Sequence, residues 1–430
     1  KTLVRLANVI RGFRKINLIY LRTMLPVKDA ENIILDAISP LTATETVTLD
    51  AAAGRILATP VSSELDYPHE DNSAMDGYAA RSRDLSPATP NHPITLEIVE
   101  EIPAGVAPSH SLEKGQAARI FTGGILPVGA DTIIIQEETE RDGNQVKVFS
   151  APQAGQFVRK QGSFYQAKQS LLPANIPIHA PEIAILAAMQ CREISVYCRP
   201  RVSIFSSGNE LVTPDDKLQR GQLVDSNQYA LKELVKQQGG VSIPLGIIKD
   251  DRESLKSAIA QAISSSDIVI STGGVSVGDY DYIESILTEL EGKIHLNSVA
   301  IKPGKPLTFA TFPNCYYFGL PGNPVSALVT FWRFVAPAIK KISGQTKNIL
   351  PTFVTAKTQQ DLKANGKRET YLWGEVTTVS GEYQFNLAGG SHSSGNLINL
   401  AQTNALAVIP VGKTQVSAQE TVTVMLISHW

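Results

Sequence analysis

One stretch of the chain constrains the fold more than any other. Between residues 201 and 342, short apolar runs alternate with amphipathic segments. The runs RVSIFSS, SDIVISTGG and CYYFGL predict buried strands, whereas DSNQYALKELVKQQGG, RESLKSAIAQAISS and VSALVTFWRFVAPAIKKI predict helices. Helices between successive strands favour parallel pairing, with helices on both faces of the sheet. The stretch therefore predicts a doubly wound, parallel α/β domain.

The flanking segments have a different character. Apolar residues at helical spacing predict a helix over 27–38, ended by Pro40, and a second short helix is predicted over 49–58. From about residue 65, short runs separated by turn residues predict a β-rich block, and 182–191 return to a helical pattern. Because helical segments lie on both sides of it, we expect this block to be an insertion in the first domain.

The predicted fold class is α/β plus β, in several domains. At about 150 residues per domain, 430 residues suggest about three domains, and the change in pattern along the chain raises the number to four. After Pro351, runs such as TFVTAKT and ETVTVMLI predict a final β domain of barrel type. The predicted bounds are 1–24 for a basic extension, 25–64 with 165–199 for helical domain I, 65–164 for β-rich domain II, 200–348 for α/β domain III and 349–430 for β domain IV.

Charge and cysteine content exclude several classes of protein. Lys and Arg number 39 against 41 Asp and Glu, a net charge of −2, which argues against a protein that coats nucleic acid. Three cysteines without a CxxC pair argue against a disulfide framework or a zinc clamp. No apolar run has the length that a membrane span needs. We therefore expect a cytoplasmic protein.

The amino terminus is basic. Residues 1–28 carry seven Lys or Arg and no acid, with apolar residues between them. An organelle transit segment and a basic amphipathic helix on a membrane surface are two functional interpretations. An accessory extension ahead of Met24 is the third, and we favour it because nothing later in the chain supports a membrane role.

Loops rich in Gly and polar residues follow several predicted strands of the α/β domain. They are SGNE (207–210), TGGVSVGD (272–279) and PGNPVS (321–326). In an open parallel sheet, ligands bind beyond the carboxyl ends of the strands. Gly273 and Gly274 would let backbone N–H groups approach an anion, and Asn323 and Pro324 have the pattern of an N-cap and first helical residue. Each loop alone is more simply a tight turn or a cap, but several together predict an anion site.

Carboxylates occur in the same loops. Glu210, Asp250, Asp279 and Asp281 are candidate ligands for Mg²⁺, which takes oxygen ligands and bridges phosphates. Without a cation they would repel a phosphate, so loops and acids together predict a metal-bound phosphate. For Asp250, the N-cap of the following helix is an equal alternative.

Two further loops are candidates. Lys302 and Lys305 flank a Pro-Gly turn, where they either hold a phosphate or tetrahedral oxyanion or lie solvated on a turn. The polar stretch 71–79 contains Asp76 and reads as a structured loop, either functional or a plain β-turn.

Six motifs together resemble those of the molybdopterin molybdenumtransferases, the family related to the E domain of gephyrin. In family order they are DNSAMDGYA (71–79), RIFTGG (119–124), FSSGNEL (205–211), STGGVSVGDYDY (271–282), AIKPGKPL (300–307) and GLPGNPVSAL (319–328). The resemblance runs from about Leu25 to the end of the chain. It implies insertion of molybdate into the dithiolene of adenylylated molybdopterin, with release of AMP and a need for Mg²⁺.

The resemblance also implies partners and site residues. The partners would be a second copy in an elongated homodimer, a molybdopterin adenylyltransferase and molybdenum-enzyme assembly factors, with neither nucleic acid nor a membrane span. Asp76 would be the essential loop aspartate, acting across the dimer cleft with Thr122. The metal would be bound by Glu210, Asp281 and, as a weaker match, Asp250. The substrates would be bound by Lys302, Lys305, Gly273, Gly274, Ser276, Pro321, Asn323, Pro324, Arg159 and Ser394. Ser391 is the other possible register for the serine.

One departure from the family pattern keeps other functions open. Members usually carry Arg-x-x-Gly-Glu-Asp, whereas this chain has Arg159, Gly162, Ser163 and Phe164, so both acids are absent. A diverged carrier or scaffold that binds the pterin cofactor without inserting metal is the alternative. A simple nucleotide binder is a third, which the loop 71–79 disfavours.

Overall fold

The computed structural model describes residues 24–274 and 282–427. Helix α1 (Val27–Ala37) confirms the first predicted helix and is followed by strand β1 (Thr44–Thr48). The helix predicted over 49–58 is wrong, because only one 3-10 turn forms, at Leu49–Ala51. The chain then turns at Gly54, whose φ of 72° no helix accommodates.

A six-stranded sheet forms from residues between the two helical segments. Its order is β6-β3-β5-β4-β8-β7, and a separate antiparallel pair joins β2 to β9. The elements are β2 (Asn72–Ser73), β3 (Gly77–Ala80), α2 (Ser82–Leu85), β4 (Ile94–Ile102), β5 (Gln116–Ile120), β6 (Thr132–Ile135), β7 (Thr139–Asp142), β8 (Gln145–Val148) and β9 (Val158–Arg159).

The chain then returns to its first part. Helix α3 (Ala180–Ala188) precedes β10 (Glu193–Tyr197), which pairs antiparallel with β1. Isolated bridges join residues 56, 61 and 67 to 177, 172 and 165, so the outgoing and returning segments run side by side. This pairing supports our proposal that residues 65–164 are an insertion.

A mixed sheet lies at the centre of the α/β region, in the order β14-β11-β15-β19-β18-β16. The first four strands are parallel, which confirms the α/β prediction, but β18 is antiparallel to both of its neighbours. Only two residues separate β18 from β19, and a turn this short joins only antiparallel strands. The elements are β11 (Arg201–Ser207), β12 (Leu211–Val212), β13 (Leu223–Val224), α4 (Asn227–Gln237), β14 (Val241–Ile248), α5 (Arg252–Ser265), β15 (Ile268–Thr272), α6 (Ile283–Glu289), β16 (Lys293–Ser298), β17 (Ile301–Lys302), β18 (Pro306–Phe312) and β19 (Cys315–Leu320).

The long helix predicted after β19 forms, but it is interrupted. Helix α7 (Pro324–Thr330) passes through a π-helical segment (Phe331–Val335) into α8 (Ala336–Ile342). Pro337 lacks the N–H that would bond to the carbonyl of Arg333 in an α-helix. The wider π turn accommodates this missing bond.

The carboxy-terminal region forms a closed barrel, as predicted. Strands β22-β23-β20-β26-β24 pair in a ring, and β17 joins β22 from outside in parallel. The elements are β20 (Phe353–Thr358), β21 (Leu362–Lys363), β22 (Glu369–Val379), β23 (Glu382–Leu387), β24 (Ala405–Ile409), β25 (Gln415–Val416) and β26 (Thr421–Leu426). In the part of the chain that the structure describes, no helix is both long and apolar enough to cross a membrane.

A buried ionic contact fixes three regions against one another. Arg333 in the π segment pairs with Glu31 of α1, and both side chains are buried. The Arg333 Nε also donates to the Tyr371 hydroxyl of β22 at 3.2 Å. Removing one partner of such a pair leaves a buried charge unpaired, which typically costs about 3–5 kcal/mol. The contact therefore holds α1, the α/β domain and the barrel in one arrangement.

Candidate functional site

The glycine loop after β15 lies directly on the end of β11. Gly273 and Gly274 have φ values of 84° and 64°. A Cβ at Gly273 would lie 2.3 Å from the carbonyl oxygen of Ser207, and one at Gly274 would lie 2.9 Å from the Ser207 Oγ. Gly273 therefore requires glycine because the backbone of the neighbouring strand is too close for a side chain, and Gly274 favours glycine because of its positive φ and the nearby Ser207 hydroxyl.

The loop before α7 meets this glycine loop. A Cβ at Gly322 would lie 3.5 Å from the Cα of Gly273, and the Gly322 carbonyl accepts a hydrogen bond from Asn227 Nδ2 at 2.8 Å. Pro324 begins the helix and Asn323 occupies the N-cap position, as predicted. The Asn323 side chain makes no capping hydrogen bond, however. It therefore does not serve the capping role that its residue type suggested.

Two carboxylates lie near the ends of β11 and β14. Burial, and then the negative charges of Glu210 and Asp251, raise the pKa of Asp250. The Asp250 Oδ1 is buried and has no hydrogen-bond partner. The N-cap of α5 is Asp251, whose Oδ1 accepts from the Ser254 N–H at 2.9 Å, so the alternative of Asp250 as the cap is wrong by one residue.

These acids fit a cation that the family resemblance implies. A buried carboxylate oxygen without a donor, beside a second carboxylate, is suited to an oxygen-liganded ion such as Mg²⁺. The candidates Ser276, Asp279 and Asp281 lie outside the described residues. Within residues 24–274 and 282–427, no group of three or more His, Cys, Asp or Glu is arranged to hold a metal ion.

The lysine turn lies against the helix that follows the Pro-Gly-Asn-Pro loop. Lys302 forms part of β17, and both Lys302 and Lys305 are exposed. A Cβ at Gly304, whose φ is 109°, would lie 2.6 Å from the Cγ2 of Thr330 in α7. The same Cβ position lies 3.6 Å from the carbonyl oxygen of Ser326 in the first turn of α7, so the lysine turn lies near the Pro-Gly-Asn-Pro loop.

The barrel supplies two contacts to the same region. The backbone N–H of Val325, at the start of α7, donates to the carbonyl of Ser394 at 3.0 Å. Arg368 Nη1 donates to the Ile301 carbonyl at 3.2 Å, next to Lys302. The carbonyl of Ser391 instead accepts from Asn396 and Asn399 of its own loop, and the choice between Ser394 and Ser391 as the site serine stays a prediction. No motif contains Arg368, so the sequence did not indicate this contact.

Asp76 and Thr122 meet in the inserted sheet. The Thr122 backbone N–H and hydroxyl donate to Asp76 Oδ1 at 2.7 and 2.8 Å. These two bonds, with a smaller contribution from the charge of Arg119, lower the pKa of Asp76. Asp76 is therefore a carboxylate at neutral pH, and it can accept hydrogen bonds or meet a cation, but it is not a proton donor.

The segment that departs from the family pattern lies beside the same loop. Arg159 on β9 pairs with Asn72 on β2. Asp71 accepts from Lys160 Nζ and from the Gln161 N–H, both at 2.7 Å. Phe164 is 65% exposed, and the centre of its ring lies 5.9 Å from the centre of the Tyr67 ring. An aromatic side chain thus occupies the position where the family resemblance led us to expect an acid.

The fold and these loops agree with known proteins. Residues 25–189 match the MoeA N-terminal region (domain I and II), 203–341 the probable molybdopterin binding domain, and 355–427 the MoeA C-terminal region (domain IV). A molybdopterin molybdenumtransferase of Nostoc is 55% identical over 408 residues, 94% of each chain. The chain belongs to the molybdopterin molybdenumtransferase family. The family member from Haemophilus influenzae is 33% identical over 94% of this chain and 99% of its own.

Solved structures of moeA proteins have a similar fold. A molybdopterin biosynthesis moeA protein from Pyrococcus horikoshii has a TM-score of 0.81 and 28% identity, over 94% of this chain and all of that one. A second structure of the moeA protein from the same source, with a TM-score of 0.78, covers 95% of this chain. The resemblance inferred from the six motifs is thus confirmed as family membership.

Proposed function

We propose that this chain acts in molybdenum cofactor biosynthesis, where it inserts molybdate into the dithiolene of adenylylated molybdopterin and releases AMP. The observation that carries the proposal is the continuous series of contacts that joins the glycine loop, the Pro-Gly-Asn-Pro loop and the lysine turn at one edge of the sheet. Backbone amides and lysines at such an edge suit a ligand that carries phosphate and a second oxyanion.

The anionic groups would be bound by the two lysines and the loops. Lys302 and Lys305 would hold molybdate or phosphate as point charges, because their side chains are exposed beside α7. Gly273, Gly274 and Asn323 would bring backbone groups to the substrate, and Pro321 and Pro324 would shape the loop over it. Ser394 would approach from the barrel through the contact of its backbone with Val325.

Mg²⁺ would be held by Glu210 and Asp250, together with Asp281 by family resemblance. When bound, such an ion neutralises phosphate charge and favours departure of AMP. The partnerless Oδ1 of Asp250 and the proximity of Glu210 support this assignment from the side of the protein. Glu210 and Asp250 would place the coordinating oxygens near the ends of β11 and β14.

Asp76, with Thr122 and Arg159, would complete the site across the interface of a homodimer. Asp76 and Thr122 lie at the inserted six-stranded sheet and Arg159 lies in the separate β2–β9 pair, whereas the other candidates lie at the α/β sheet and barrel. As a carboxylate, Asp76 would accept hydrogen bonds from the substrate or face its bound cation. A molybdopterin adenylyltransferase would supply the substrate, assembly factors would accept the product, and the cytoplasm is the expected compartment.

The test is a direct assay of the complete chain. Purified protein is incubated with adenylylated molybdopterin, molybdate and Mg²⁺, while AMP and active cofactor are measured. We expect AMP release that needs both molybdate and Mg²⁺. Binding of the substrate without AMP release, under conditions in which the Nostoc relative turns over, would refute the proposal and favour a carrier.

A further inference from the structure

Arg119 lies at the end of β5, beside the Asp76 loop, and no part of the proposed function uses it. We propose that Arg119 is a positioning residue, which holds the peptide between Gly77 and Tyr78, directly after Asp76, so that the Asp76 carboxylate keeps the geometry needed for turnover. This inference rests on the proposed function. It adds a residue to the site that acts through Asp76 and does not touch the substrate.

The guanidinium of Arg119 is held from several sides. Its Nη1 donates to the Gly77 carbonyl at 3.0 Å, and its Nη2 donates to Gln136 Oε1 at 2.5 Å. The guanidinium carbon lies 5.1 Å from the ring centre of Tyr78 and 4.8 Å from that of Phe121. Two hydrogen bonds and two cation–π contacts give the group one orientation, which a lysine could not reproduce.

The same residues close a ring around the catalytic candidate. The Gln136 N–H donates to the Asp76 carbonyl at 3.1 Å, while Thr122 donates twice to Asp76 Oδ1. Arg119 therefore connects Gln136 to Gly77, and Gln136 connects back to Asp76. Each residue of the ring adjoins or belongs to β3, β5 or β6, three neighbouring strands of the sheet.

The backbone that this ring holds, from Asp76 to Tyr78, has little freedom of its own. A Cβ at Gly77 would lie 1.9 Å from the carbonyl oxygen of Ile134 on β6, so the backbone of β3 is pressed against its neighbour. On the other face, Arg119 binds the Gly77 carbonyl. Because both Thr122 bonds go to Oδ1, the direction in which Asp76 presents Oδ2 depends on the backbone from Asp76 to Tyr78, which Gln136 and Arg119 hold. A displacement of about 1 Å in such a group can reduce turnover about 100-fold.

The experiment compares variants of the full chain in the AMP-release assay. Arg119→Gln removes the positive charge and the two-nitrogen geometry of the guanidinium, whereas Arg119→Lys keeps only the charge. Gln136→Met removes only the acceptor for the Nη2 of Arg119. Arg141→Gln is the matched control, because Arg141 is an exposed arginine of the same sheet that pairs with Glu101 at 2.8 Å. Thermal unfolding and the folded fraction are measured for every variant.

We expect Arg119→Gln to lower kcat at least about tenfold, with KM for both substrates changed less than about twofold. Arg119→Lys should recover part of the loss, Gln136→Met should show a smaller loss, and Arg141→Gln should match the wild type. A wild-type kcat in Arg119→Gln, or full recovery in Arg119→Lys, would overturn the inference. If Arg119→Gln does not fold, an unchanged kcat in Gln136→Met overturns it instead.

These outcomes are separate from failure of the proposed function. If the wild-type chain releases no AMP, the proposed function fails and the variants have no turnover to compare. If the wild type turns over and the Arg119 variants match it, only the role of Arg119 is refuted.

Discussion

The two groups of candidate residues are positioned by different kinds of force. At the edge of the α/β sheet, close packing at Gly273, Gly274 and Gly304 sets where the loops lie, against the Ser207 backbone and the side chains of Ser207 and Thr330. In the inserted sheet, Asp76 is set by hydrogen bonds from Thr122 and Gln136. The first group should thus be sensitive to added atoms, and the second to removed polar groups. The two groups also differ in the hydrogen bonds that their carboxylates accept. Asp250 Oδ1 is buried without a donor, whereas Asp76 Oδ1 accepts from two donors.

The strongest test of the comparison is Asp76→Asn. The change removes the charge but keeps nearly the same shape, so Thr122 can still donate to the remaining carbonyl oxygen. We expect turnover to fall by about 10³-fold or more, a size typical of losing a residue that acts in the chemical step. AMP release and thermal unfolding are measured together. Turnover near the wild-type rate would remove Asp76 from the site, whatever the stability.

Gly273→Ala tests whether close packing positions the loops at the edge of the α/β sheet. The new Cβ would lie 2.3 Å from the Ser207 carbonyl oxygen at a φ of 84°, so the loop must move. We expect a loss of about 1–3 kcal/mol in unfolding free energy and at least about tenfold in turnover.

Gly54→Ala is the matched control for Gly273→Ala. Its φ is 72°, but nothing lies within 4 Å of its Cβ position, so it isolates the backbone cost of about 1 kcal/mol. Equal losses of stability in the two variants, measured by denaturant unfolding, would show that the contact with Ser207 does not matter.

Thr122→Val should have the smallest effect. It removes the hydroxyl donor to Asp76 Oδ1, while the backbone N–H still donates. We expect turnover to fall only about threefold to tenfold at neutral pH, which corresponds to a typical net hydrogen bond of about 1 kcal/mol. Since Thr122 lowers the pKa of Asp76, activity in the variant should begin to fall at a higher pH than in the wild type. Identical acid limbs in the two pH profiles would contradict this origin of the pKa shift.

Local patterns in the sequence predicted most of the architecture. The alternation between residues 201 and 342 predicted the α/β domain, because periodicity of apolar residues reports burial directly. The helix over 49–58 failed because Gly54 turns the chain within it, and the sequence alone does not say which glycines adopt a positive φ. The reversal of β18 was missed because no strand had been predicted between Lys305 and Cys315.

The candidate site was predictable only in part. Motifs indicated which loops carry chemistry, and the structure places Gly273 against Ser207 and Gly322 against Gly273. The N-cap was misplaced between Asp250 and Asp251 because adjacent acids have equal propensity and only geometry distinguishes them. Arg368 and Arg119 make hydrogen bonds to residues distant in sequence, which no local pattern predicts.

The short strand β17 has a consequence for how the molecule can be divided. Lys302 belongs by sequence to the α/β domain, yet its backbone is a strand of the barrel, paired with Thr370. A fragment that ends before residue 349 would keep the lysine but lose the sheet that orients it. The carboxy-terminal barrel therefore cannot be exchanged for an unrelated one as an independent module. Any replacement must present an open edge on which residues 301 and 302 can pair.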